Sequence, residues 1–168
     1  ELGNWTAIGY ALHYNNVISG ANSAGSLETA TVRNRIRIYG KNNVNGNSRF
    51  LAADTGLVDL PVFLNETPNF GVCADGNPLG TSCDDSFTTA RLPGGLSFDV
   101  DGDQFEASFR TIPFQNAFVV PDSPAPGLNT IFTAETNPGL SVVQTQVRIR
   151  QVPAPGVLAL LGLGLALL

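Results

Sequence analysis

Four acidic side chains within eight residues, Asp99, Asp101, Asp103 and Glu106, are the first place to look for chemistry. Their spacing, D-x-D-G-D-x-x-E, invites calcium, a hard cation that gathers carboxylate and carbonyl oxygens. The pattern is not that of an EF-hand loop, whose glycine follows the third ligand. The flanking residues carry a second reading. Leu96–Val100, Asp101-Gly102 and Asp103–Phe109 form a two-residue type I′ hairpin pattern, because Asp-Gly tolerates positive φ at both turn positions. That turn pairs Phe98 with Phe105 and Leu96 with Ala107, so that Leu96, Phe98, Phe105, Ala107 and Phe109 make one apolar face. Asp99 and Glu106 then project from the outer face beside Ser97 and Gln104, and Asp103 from the opposite one. A solvated hairpin turn is favoured, with calcium kept as a candidate cofactor. Asp84-Asp85 would add ligands only if their loop folded over.

Other catalytic constellations find little support. His13 is the single imidazole, so a Ser–His–Asp triad must use it; Ser19 and Ser23 are near, but there is no Gly-x-Ser-x-Gly elbow. Asp99 and Glu106 share a face, as a glycosidase pair would, but the sequence places no aromatic platform beside them. The chain has no phosphate loop, zinc-ligand spacing or dinucleotide fingerprint. The expectation is a protein that is not an enzyme. The sequons Asn4-Trp5-Thr6 and Asn65-Glu66-Thr67 are near chance in a chain so rich in Asn and Thr.

Cys73 and Cys83 bracket a polar loop, ADGNPLGTS, and are the only cysteines. A disulfide in an oxidising compartment is the simplest pairing. A metal or redox pair is disfavoured, since CxxC spacing is lacking and the one His is 60 residues away.

The elements that must position these residues are strands. In Thr31–Tyr39, read as one strand, Val32, Ile36 and Ile38 alternate with Arg33, Arg35 and Arg37. In Ser141–Arg150, Val143, Thr145, Val147 and Ile149 face in while Gln144, Gln146, Arg148 and Arg150 face out. Trp5–Leu12, Phe50–Ala53, Leu57–Leu64, Ala117–Val120 and Asn129–Ala134 read as further strands, and residues 121–127 as a loop or crossing. With 18 Gly and 11 Pro punctuating them, the expected fold over residues 1–151 is an all-β antiparallel β-sandwich, jelly-roll or immunoglobulin-like. Nine basic against 14 acidic side chains, a net charge of −5 and a single Lys exclude a nucleic-acid partner.

Residues 152–168 stand apart. Val152-Pro153-Ala154-Pro155 leads into GVLALLGLGLALL, residues 156–168, which has no polar side chain. As a helix this run would span about 20 Å, short of the roughly 30 Å hydrocarbon core. The Pro-x-Pro step followed by the Leu-Leu-Gly-Leu-Gly-Leu run resembles the PEP-CTERM sorting signal of exported Gram-negative proteins. Ala154 stands where that family has Glu, and the family's terminal arginines do not follow Leu168. Leu12-His13-Tyr14-Asn15 keeps the His and Asn of the Thr-His-x-Asn motif of one of its subgroups. The resemblance implies export, handling by an exosortase-type transpeptidase, transient membrane contact through the tail, and a place near exopolysaccharide. With Glu1 at the start and no Met anywhere, both ends of a precursor are expected to be missing. The expected function is that of a non-catalytic protein of the bacterial cell surface or extracellular matrix, a homo-oligomer or filament assembled through its apolar tail. The alternative is a carbohydrate-binding or calcium-dependent adhesion module of the exopolysaccharide matrix.

Overall fold

The computed structural model describes residues 2–15, 28–41, 49–65, 67, 73, 77–80, 83–92, 94–134 and 139–153. These residues form strands β1 (Thr6–Asn15), β2 (Thr29–Asn34), β3 (Arg37–Lys41), β4 (Arg49–Asp54), β5 (Val58–Asn65) and β6 (Asp85–Ala90). They continue with β7 (Leu96–Val100), β8 (Asp103–Gln115), β9 (Ala117–Pro121), β10 (Leu128–Thr133) and β11 (Gly139–Gln151). The fold is an all-β antiparallel sandwich. One sheet runs β1-β11-β8-β7, the second β2-β5-β6-β10-β9, and β3-β4 is a separate two-stranded ribbon. No helix among the described residues is long and apolar enough to cross a membrane, and residues 156–168 lie outside those described.

Local pattern explains much of this. In β5, Val58, Leu60, Val62 and Leu64 turn inward while Asp59, Pro61, Phe63 and Asn65 are exposed, the alternation a half-buried strand requires. The β7–β8 hairpin has the expected register, with Phe98 opposite Phe105 and Leu96 opposite Ala107. Asp101 and Gly102 take φ of 54° and 87°, as a type I′ turn requires. The Phe98 and Phe105 rings stack at 5.7 Å, and Ala107 is completely buried.

Three expectations are corrected. Thr31–Tyr39 is not one strand: it divides into β2 and β3, which join different sheets. At the break the Ile36 main chain turns to Thr55, donating to its Oγ1 at 3.0 Å and accepting from its N–H at 3.0 Å. Arg35 on one side and Arg37 on the other both reach Asp54. Val32, expected to face in, is 45% exposed because β2 is an edge strand. Second, β6 was not expected as a strand, yet it lies between β5 and β10 in the middle of its sheet. Third, Gln144 is buried rather than facing solvent; its amide donates to the Tyr10 hydroxyl at 2.9 Å, which offsets the cost of desolvating it.

Asp54 supplies a pH test. Arg35 Nε–H bonds both of its oxygens at 2.9 and 3.0 Å, and the Gly56 N–H donates to it at 2.9 Å. The Arg35 hydrogen bonds hold its carboxyl well below the usual carboxylate range, with the Gly56 bond and the Arg37 charge adding to the effect. A depressed folded-state pKa contributes stability above the unfolded value, and that contribution is lost as pH falls through the folded value. Carboxyl NMR should therefore show Asp54 still ionised below pH ~3.9. In Arg35→Gln the midpoint should move up toward that reference; an unmoved midpoint would refute the assignment.

Candidate functional site

The hairpin acids do not converge. Asp99, Asp101, Asp103 and Glu106 are all exposed, and no three His, Cys, Asp or Glu side chains among the described residues could hold a metal ion. Asp99 is occupied locally, its Oδ1 accepting the Gly102 N–H at 3.0 Å, and Glu106 reaches back over Gly95. His13 packs edge-on against Phe87 of the opposite sheet at 4.6 Å. Ser19 and Ser23 lie outside the described residues.

Cys73 and Cys83 form the expected disulfide, with Cα atoms 5.2 Å apart, as an oxidising, extracytoplasmic setting allows. Two buried carboxylates secure the segment around it. Asp84, fully buried, accepts the Leu79 N–H at 2.7 Å. Asp85, 3% exposed, accepts the Thr67 N–H at 3.0 Å. The Thr67 hydroxyl closes the arrangement, donating to the Cys83 and Asp84 carbonyls at 2.9 and 3.2 Å. Asp84-Asp85 thus has a structural role, tying the disulfide segment to the start of β6.

The built surface lies on the outer face of the four-stranded sheet. Trp5 enters β1 with two guanidinium groups over its ring, Arg110 of β8 at 4.2 Å and Arg148 of β11 at 4.6 Å from the centroid. Arg110 Nε–H donates to Gln146 Oε1 at 2.9 Å, and the Gln146 amide donates to Gln144 Oε1 at 2.5 Å. Gln144 bonds Tyr10, whose ring meets Phe114 edge-to-face at 5.3 Å. Cations, amides and aromatic rings therefore follow one another along a single sheet face. A scan against protein-family models finds no match, and a search of curated proteins finds no significant relative. The chemistry of this face is therefore read from its own residues.

The alternation of β11 placed Gln146, Arg148 and Arg150 on an outer face, but nothing local joins them to Trp5 or Arg110. The pairings Thr6 with Val147 and Arg110 with Gln146 bring the three segments together. The single Trp immediately before an edge strand was the available signal.

A cleft of about 180 Å³ between the sheets is lined by Arg91, Leu92, Phe109, Arg110, Thr111, Pro121 and Asn129. Of its two cations, Arg91 pairs with Asp122 at 2.8 Å and donates to Asn129 at 3.2 Å, while Arg110 bonds Gln146 and lies over Trp5. Of residues 152–155, Val152 and Pro153 follow β11, with the Val152 N–H donating to the Gln104 carbonyl at 2.7 Å. Ala154 and Pro155 lie outside the described residues.

Proposed function

We propose that this chain is a non-catalytic structural protein, exported to the bacterial cell surface or extracellular matrix and assembled there into filaments. The observation that carries this reading is an inversion of burial. Among the described residues, Asp84, Asp85, Ser86, Asn129, Ser141 and Gln144 are buried, while Leu51, Leu57, Phe63 and Phe118 are 51, 67, 52 and 44% exposed. Phe63 and Phe118 stand on the outer face of the five-stranded sheet. Exposed apolar area costs about 25 cal/mol per Å², which a neighbouring subunit would recover. The disulfide and the resemblance of residues 152–168 to a PEP-CTERM signal support export.

Native electrophoresis and electron microscopy test the assembly. The full chain should form ordered multimers, weakened by Phe118→Ser and by ending the chain at Gln151. A monomeric full chain would overturn the reading.

The second reading is a carbohydrate-binding module of the exopolysaccharide matrix. The Trp5–Arg110–Arg148 face favours it, since it combines charge, amides and exposed aromatic rings on one surface.

A further inference from the structure

We propose that the outer face of the four-stranded sheet binds an acidic polysaccharide, whose carboxylates meet Arg110, Arg148 and Arg150 around Trp5. The inference deepens the carbohydrate-binding reading and rests on it.

Seven of the eight arginines of this chain divide into two groups, and the eighth, Arg49 on the separate β3–β4 ribbon, has no ion pair among the described residues. Arg33, Arg35, Arg37 and Arg91 each have a carboxylate oxygen within ion-pair distance. Arg110, Arg148 and Arg150 have none among the described residues, in a chain with 14 acidic side chains against nine basic ones. Two of the three are stacked on one indole, and the buried Nε of Arg148 has no hydrogen-bond acceptor among the described residues. Glu106 is the acid directly opposite Arg150, but its carboxyl is turned over Gly95. Crowded like charges repel, and the indole offsets only part of that repulsion. An incoming carboxylate would supply the missing counter-charge, and a guanidinium matches it with two parallel hydrogen bonds.

The rest of the face selects the kind of anion. Four residues from Arg148 along β11, or about 14 Å, Tyr10 and Phe114 flank Gln144. Their rings are 52 and 59% exposed, offering the flat apolar surface on which the C–H face of a sugar ring rests. An extended chain of uronate sugars can reach both ends of such a face. A nucleic acid fits poorly. The indole that would stack a base already carries two guanidinium groups.

Affinity electrophoresis of the full chain in gels containing polygalacturonate, dextran or no polymer tests the proposal, with a single-stranded oligonucleotide as a separate arm. Polygalacturonate should retard the protein, less so as salt rises. Arg150→Gln, and separately Arg110→Gln with Arg148→Gln, should weaken retardation about tenfold, with lysine at these positions restoring part of it. Arg33→Gln, on the other sheet, should retain wild-type retardation. Because Arg150 is exposed and has no stacking partner among the described residues, its variant keeps the test decisive even if the Trp5-stacked pair unfolds. Equal retardation of the variants, or oligonucleotide binding as strong as polygalacturonate binding, overturns the proposal. Retardation by dextran alone removes the acidic ligand but leaves the carbohydrate-binding reading. No retardation by either polysaccharide removes both.

Discussion

Asp84→Ala is expected to cost about 3 kcal/mol of folding stability, the upper range for losing a single buried polar group. The Asp84 carboxylate is completely buried and accepts the Leu79 N–H at 2.7 Å. Alanine removes the acceptor, leaves that donor without its bond, and opens a void. For a chain of this size the unfolding midpoint should fall by roughly 6–12 °C. Asp84→Asn retains an acceptor oxygen of similar shape and should recover most of the loss. A midpoint unchanged in Asp84→Ala would show that the Leu79 segment does not depend on this bond.

Breaking the disulfide is expected to cost about 2–3 kcal/mol, the loop-entropy value for closing about ten residues. Thermal unfolding of the Cys73→Ser, Cys83→Ser double variant, beside wild type with and without reductant, measures it. The wild type under reduction should match the variant; equal midpoints throughout would refute a stabilising crosslink. The two effects should not be additive. The disulfide and Asp84 restrain the same segment, since Cys73 and Leu79 are both tied to residues 83–84. Once the disulfide is gone, Asp84→Ala should cost less than in the oxidised protein, a coupling that a double-mutant cycle reads directly.

This cluster also shows where sequence reasoning stopped. Asp85-Ser-Phe-Thr-Thr-Ala90 contains one large apolar side chain, so no alternation marks it as a strand, and two adjacent acids read as a surface loop. It is the middle strand of its sheet, paired with β5 and β10, and its two acids are met by the N–H groups of Thr67, 18 residues away, and Leu79, five residues away. The division of Thr31–Tyr39 has a similar origin. The apolar alternation runs through the break unchanged, and only the bonds from Asp54 and Thr55 send the two halves to different sheets. Hairpin register separates Asp103 from Asp99 and Glu106, and no group of three potential metal ligands occurs among the described residues.

What the sequence alone determined was what neighbouring residues decide between themselves: the β7–β8 turn and register, the outward set Gln146, Arg148 and Arg150 on β11, and the pairing of the only two cysteines. A type I′ turn or a period of two is set within a few residues, where sterics and side-chain direction leave little choice. The tertiary structure decided which strands lie side by side. It thereby placed Trp5 against Arg110 and Arg148, buried Gln144 under Tyr10, and moved a polar strand to the middle of a sheet. Those choices depend on partners distant in the chain, each becoming favourable only once the other segment is in place.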